Sequence, residues 1–238
     1  MDDAAKGTRF GQGRRGAKME RALVVGGTGG IGAAVVAALA ARGEAVTRLS
    51  RRDGLDVTDE SSIAQALGAL EGQFDLIFVA TGALAPPGRG PEKALRGIDP
   101  AQVAAQFALN ATGPMLVLKH GVRLMPRDRR AVFVALSARV GSIGDNGLGG
   151  WYSYRASKAA LNQMLHTAAI EVGRSHRHAV IAALHPGTVD TGFGAEFHAG
   201  RATITPADAA TRMLDTIFRL TPADSGGFFD NAGARIPW

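Results

Sequence analysis

Four short runs in this chain, at residues 21–25, 74–80, 131–136 and 179–184, are apolar at almost every position. That constrains the fold more than any other feature. A strand with one face in water alternates apolar and polar residues, and these do not. They read as strands buried on both faces, the pattern of a parallel sheet with helices packed on each side. The segments between them supply the helices. Residues 31–42 are alanine-rich and stopped by Gly43, residues 58–70 start at a capping Thr58 or Asp59, and residues 206–220 follow Thr205. Residues 100–125 and 151–173 read as the two long helices. Residues 45–49 form a further strand, and Phe228 and Phe229 suggest a last one. The expected fold class is α/β: a single-domain, Rossmann-type, doubly wound parallel sheet spanning residues 19–238.

Composition sets the limits around that fold. Apolar residues make up 46% of the 238 positions, enough for a sizeable core, and charged residues at 20% are too few for a disordered chain. With no cysteine, disulfides, thiolate metal sites and cysteine nucleophiles are excluded, and a reducing cytosol is compatible. No apolar run reaches the roughly 18 residues of a membrane helix, so a cytoplasmic protein without a membrane partner is expected. The net charge is +6, and Lys6, Arg9, Arg14, Arg15 and Lys18 contribute to it from a Gly/Arg-rich start. Residues 1–18 read as a disordered extension, or as sequence ahead of a true start at Met19. An organelle address fits the acidic Asp2 and Asp3 poorly, and a nucleic-acid arm lacks stacking aromatics beyond Phe10. No nucleic-acid partner and no metal site are expected.

The first strand runs straight into Gly26-Gly27-Thr28-Gly29-Gly30-Ile31-Gly32 and then a helix. Glycines there let the backbone turn sharply and approach a pyrophosphate, which the helix N-terminus attracts. Gly26, Gly30 and Gly32 follow G-x-x-x-G-x-G rather than the commoner G-x-G-x-x-G. Thr28, Gly29, Gly30 and Ile31 are therefore candidate cofactor contacts. After the second strand comes Arg48-Leu49-Ser50-Arg51-Arg52, with no acid before Asp53. A 2′-phosphate wants cations and hydroxyls at that place, so NADP(H) is favoured over NAD(H), with Arg51 and Ser50 as its contacts. Asp56-Val57 either meets the adenine amino group or simply leads the next helix.

Tyr154-Arg155-Ala156-Ser157-Lys158 puts a tyrosine and a lysine four residues apart, on one face if helical. An ammonium beside a phenol is expected to lower its pKa from about 10 towards the working range of a proton-transfer catalyst. At these residues the chain resembles the short-chain dehydrogenase/reductases over nearly everything after Met19. The matching positions are Gly26-x-x-x-Gly30-Ile31-Gly32, Asp56-Val57, Asn110, Ser137, Tyr154-x-x-x-Lys158 and Pro186-Gly187-Thr188-Val189-x-Thr191. Leu136-Ser-Ala-Arg-Val-Gly-Ser-Ile143 and the ending Ile236-Pro-Trp238 are similar to the branch of the bacterial C-factor cell–cell signalling proteins, close to the sniffer-type carbonyl reductases.

The resemblance implies roles. Tyr154 would exchange a proton with the substrate oxygen, and Lys158 would hold the nicotinamide ribose. Asn110 would order a water linking Lys158 to solvent. Pro186, Gly187, Val189 and Thr191 would border the nicotinamide, and Ala80, Thr81 and Gly82 the adenosine side. Two positions depart from the family. The usual Ser-Ser pair is Ser137-Ala138, so Ser137, with Ser142 in reserve, is the candidate catalytic hydroxyl. The usual Asn-Asn-Ala-Gly run is Val79-Ala80-Thr81-Gly82.

The remaining candidates are plainer. His185 reads as packing or a loop hydrogen bond, and Trp151 and Tyr152 either line the substrate mouth or pack. Residues 192–201 are a candidate lid. The expected activity is NADP(H)-dependent interconversion of a small-molecule carbonyl and an alcohol, in a homo-oligomer built through the long helices. The alternative is a nucleotide-binding sensor or signalling protein on the same fold.

Overall fold

The computed structural model describes residues 19–193, 200 and 202–238. The expectation for residues 1–18 and most of the candidate lid therefore lie outside the described residues. Among these residues, the strands β1 (Arg21–Val25), β2 (Ala45–Leu49), β3 (Leu76–Val79), β4 (Ala131–Leu136), β5 (Ala179–His185) and β6 (Phe228–Asp230) form one sheet. All pairs are parallel and the order is β2-β1-β3-β4-β5-β6. The helices are α1 (Gly30–Ala41), α2 (Glu60–Gly68), α3 (Pro100–Phe107), α4 (Gly113–Gly121), α5 (Tyr152–Val172) and α6 (Pro206–Arg219).

Alternation along β4 shows why the strand sequences are apolar throughout. Ala131, Phe133 and Ala135 pack with Ile63 and Leu67 of α2, Val117 of α4 and Leu161 and Leu165 of α5. Val132, Val134 and Leu136 pack with Val35 and Leu39 of α1 and Met213, Leu214 and Ile217 of α6. Each side chain along the strand meets a helix, whichever face it takes.

Only residues 50–59 separate β2 from α2, and they hold a single 3-10 turn at Arg51–Asp53. A parallel crossover needs a dozen or more residues, so no further strand is inserted there and β2 is the sheet edge. The chain direction reverses between β1 and β3. In open α/β sheets the crevice beyond the strand ends at that point is where ligands bind.

The expected helix over 100–125 is not one uninterrupted element. A π-helical turn, Ala108–Thr112, separates α3 from α4, and a 3-10 turn, Val122–Leu124, ends the run. The capping expectations hold: Asp59 Oδ1 accepts the Ser61 N–H at 2.9 Å, and Thr205 accepts the Asp208 N–H at 3.1 Å. No described helix is long and apolar enough to cross a membrane.

Candidate active site

The loops that follow β1, β3, β4 and β5 surround a cavity of about 730 Å³ at the switch point. Gly29, Gly30, Ile31 and Gly32 form one wall, Ala80, Thr81 and Gly82 a second, and Ser137 to Val140 a third. Pro186, Gly187, Val189 and Thr191 close the fourth side, and Tyr154 and Lys158 reach in from α5. The glycine turn is as tight as its sequence implies. A Cβ on Gly32 would lie 2.2 Å from the Gly26 carbonyl oxygen, and Gly26 itself takes φ +84°. Helix α1 then begins at Gly30 with no side-chain cap and no acidic residue in its first turn. Its leading N–H groups and positive dipole end are thus left for an anion in the cavity. Asn231 fixes the opposite loop by donating to the Pro186 carbonyl at 2.8 Å.

Lys158 is 3% exposed, and its Nζ donates to the Leu136 carbonyl at 2.9 Å. It stands 6.0 Å from the centroid of the Tyr154 ring. Burial lowers the Lys158 pKa to about 7. Burial also raises the Tyr154 phenol above its usual range. This corrects the expectation of a depressed tyrosine: in the protein alone, loss of solvent outweighs the lysine's pull. Asn110, at the centre of the π turn, is fully buried. Its Oδ1 accepts the Ala83 N–H at 3.0 Å and its Nδ2 donates to the Ala83 carbonyl at 2.9 Å. That clamp brings the loop after β3 so close that a Cβ on Gly82 would lie 2.9 Å from Asn110 Oδ1 and 3.5 Å from Lys158 Nζ. Asn110 thus sits behind Gly82, next to Lys158, and is buried rather than on a helix surface.

The serine candidates separate. Ser137 borders the cavity, but its hydroxyl donates to Asn162 Oδ1 at 2.7 Å, with both residues buried. Ser142 is outside the cavity wall, and its oxygen accepts the Asp145 N–H at 3.1 Å. Ala138 faces the cavity. Trp151, but not Tyr152, borders the cavity, with its ring edge-on to Tyr154 at 6.3 Å, and Phe193 tilts against Tyr154 at 6.2 Å. His185 also borders it, with burial and the neighbouring Arg139 holding its pKa down to about 4.

Of the adenosine-end candidates, Ala80, Thr81 and Gly82 line this cavity, and Ser50, Arg51, Asp56 and Val57 lie beyond it, as does Thr28. Thr28 and Arg51 are exposed, Ser50 is buried, and the Ser50 hydroxyl donates to Asp53 Oδ2 at 2.7 Å. Asp56 Oδ1 accepts the Thr58 N–H and hydroxyl at 2.9 and 2.7 Å, which lowers its pKa, and Val57 packs in the core.

Two contributors escape sequence reading. Arg155 donates to the carbonyls of Gly149, Gly150 and Val140, tying the glycine-rich loop to α5. Glu92, in the Pro/Gly-rich loop after β3, receives the N–H and hydroxyl of Ser153 at the start of α5. Neither belongs to a spacing motif. A carboxylate between Pro91 and Lys93 reads as solvated surface.

A dinucleotide suits this cavity by size, by the uncapped start of α1 and by the buried ammonium beside the phenol. Comparison with known proteins agrees. The family model described as enoyl-(acyl carrier protein) reductase matches residues 32–220. The 1-hydroxy-2-glutathionyl-2-methyl-3-butene dehydrogenase of Rhodococcus is 31% identical over 92% of this chain and the whole of that protein. The C-signal of Myxococcus xanthus is 35% identical over 61% of this chain and 84% of that protein. Among solved structures, the carbonyl reductase Sniffer of D. melanogaster superposes with a TM-score of 0.80 at 19% identity, covering 93% of this chain and all of that one. The NADPH-bound carbonyl reductase from chicken fatty liver gives 0.79 at 21% identity, with the same coverage. Fold and cavity define a nicotinamide-dependent oxidoreductase. The chain belongs to the short-chain dehydrogenase/reductase family.

Proposed function

We propose that the protein is an NADPH-preferring carbonyl reductase in which Tyr154 gives the proton to the substrate oxygen. The observation that carries this is a buried phenol and a buried ammonium one helical turn apart, lining the same cavity as the uncapped N-terminus of α1. Gly29 to Ile31 would hold the pyrophosphate, Ser50 and Arg51 the 2′-phosphate, and Asp56 and Val57 the adenine. Ala80, Thr81 and Gly82 would border the adenosine side, and Pro186, Gly187, Val189 and Thr191 the carboxamide. A bound reduced nicotinamide supplies hydride to the carbonyl carbon.

As negative charge grows on the substrate oxygen, the Tyr154 phenol hydrogen moves to it and an alcohol is left. Lys158 stabilises the resulting phenolate and holds the nearby ribose. Asn110, through Ala83, keeps the loop wall against Lys158 so that a proton can return to Tyr154. Trp151 and Phe193 flank the phenol and exclude water from the apolar side. The raised pKa keeps the phenol protonated at neutral pH in the protein alone, and a positive charge on Lys158 is what would bring it back towards the working range for proton transfer.

The test is NADPH oxidation against aldehydes, ketones and quinones, with Tyr154→Phe as control. Turnover is expected to fall by about 10²- to 10⁴-fold in the variant while NADPH still binds. Turnover that survives the substitution refutes the assignment.

A second reading, a nucleotide-binding sensor, is favoured by Ala138 and by the engagement of the Ser137 hydroxyl with Asn162. Together they leave no uncommitted serine hydroxyl beside Tyr154 on the described cavity wall. Tight NADPH binding with no turnover of any carbonyl would favour it.

A further inference from the structure

Helix α5 starts in an unusual way. Gly149, Gly150 and Trp151 take φ of 64°, 66° and 54°, and Trp151 is the one non-glycine residue with positive φ among the described residues. For a tryptophan such a backbone is strained and persists only where its surroundings hold it. Helix α5 has no side-chain cap from Trp151, its own N-cap residue. Besides Arg155, which grips the Gly149 and Gly150 carbonyls, this start is held by Glu92, 61 residues earlier than Ser153. The Glu92 carbonyl accepts the Trp151 N–H at 2.6 Å. Its carboxylate accepts the Ser153 N–H at 3.2 Å and the Ser153 hydroxyl. At 6% exposure this is a buried anion whose described partners are donors of one helix start, where the helix dipole favours it. The Glu92 loop is itself anchored, by the Arg89–Asp99 ion pair and by Gln102 donating to the Gly90 carbonyl at 3.2 Å.

Tyr154 is the residue after Ser153, still within the first turn, where a helix frays most readily. We propose that Glu92 is a positioning residue for Tyr154: through Trp151 and Ser153 it fixes the first turn of α5 and hence the phenol. The inference rests on Tyr154 as the proton donor. Removing the carboxylate leaves the Ser153 N–H and hydroxyl without that acceptor and loosens the turn that carries Trp151 and Tyr154, while the Glu92 carbonyl keeps the Trp151 N–H. Glutamine keeps an oxygen for the N–H and can donate to the hydroxyl oxygen.

The chain has two tryptophans, so a Trp238→Phe parent leaves Trp151 as the sole tryptophan, excited selectively at wavelengths that tyrosine does not absorb. Glu92→Ala, Glu92→Gln and Ser153→Ala are made in that full-length parent. Two readouts follow: Trp151 emission with acrylamide quenching, without ligand, and steady-state reduction of para-nitrobenzaldehyde by NADPH below the onset of melting. In Glu92→Ala, Trp151 is expected to become more quenchable and kcat to fall by about 10- to 100-fold, with the KM for NADPH unchanged. Glu92→Gln is expected to restore both towards the parent.

A folded Glu92→Ala protein with parental Trp151 emission and parental kcat overturns the proposal, and so does a loss of kcat that glutamine does not restore. If the parent reduces no carbonyl, the reductase reading fails by itself. The emission of Trp151 then still decides whether Glu92 holds the turn. If Glu92→Ala does not fold, Ser153→Ala replaces it, with a smaller change in the same direction expected and no change counting against the proposal.

Discussion

At the residue scale, the site has one side chain fewer than its chemistry could use. Tyr154 faces the cavity as a phenol that burial keeps protonated, and Lys158 stands behind it. Position 138, where the family's second serine would stand, is an alanine bordering the same cavity. Ser137 does not simply replace it, because its hydroxyl hydrogen is engaged with Asn162. A second donor to the developing alkoxide is worth about 10²- to 10³-fold where such donors have been removed from other active sites. Ala138→Ser should therefore raise kcat, on the order of tenfold given imperfect placement. Ser137→Ala should cost less activity than Tyr154→Phe and about 1 kcal/mol of stability, from the broken buried pair. Steady-state rates and urea unfolding of both variants check this. A collapse of kcat in Ser137→Ala would show that the Asn162 bond opens during turnover and hands the hydroxyl to the substrate.

At the element scale, the proposed reading puts the choice of nucleotide at the end of β2 and the hold on the phenol at the start of α5. The turn after β2 offers Arg51 in an exposed 3-10 turn, with Ser50 and Asp53 joined beneath it. A 2′-phosphate at this turn would meet the Arg51 guanidinium. Arg51→Ala should raise the Kd for NADPH by about tenfold, the worth of one charge-assisted contact, and leave NADH nearly unaffected. Fluorescence titration with both nucleotides reads the difference, and equal weakening of the two would remove Arg51 from the phosphate. The glycine turn, the Tyr/Lys pair and the loop after β5 were legible because each needs particular residues at fixed spacing. The π turn was not. Gly113-Pro114 within residues 100–125 marks a break, since Pro114 has no N–H to donate, but nothing local says that the break takes the form of an inserted residue, which sets Asn110 against Ala83. Glu92 was illegible for a related reason, since its partner lies 61 residues away and no local pattern announces it.

At the scale of the whole molecule, the parallel sheet was legible because strands buried on both faces leave no alternative pattern. The strand order was not, since it depends on how little chain joins β2 to α2. The same burial that made the strands readable has a consequence for stability. Two bases on the cavity wall fold in an environment that opposes their charge: His185, with a pKa down to about 4, and Lys158, down to about 7. For each, the unfolded chain binds a proton over a pH range in which the folded chain does not, so stability rises with pH across that range. For His185 the range runs from about 4 up to the ordinary imidazole value of 6.5. For Lys158 it runs from about 7 up to 10.5. The full penalties, present below each range, are on the order of 3 and 5 kcal/mol. Tyr154 acts oppositely, since its raised pKa makes the fold lose stability only as pH climbs above the ordinary tyrosine value of 10.0. The net charge of +6 at pH 7 adds self-repulsion that also eases as pH rises. Without cofactor, the protein should therefore become more stable from about pH 4 to pH 9, whereas most proteins peak between about pH 5 and 8. Urea unfolding across that range measures it. Lys158→Met should flatten the curve above pH 7 and leave the protein at least as stable as the parent at pH 7, while turnover is lost. If the variant keeps the parent's slope above pH 7, the lysine does not carry that penalty and its ammonium stays charged inside the fold.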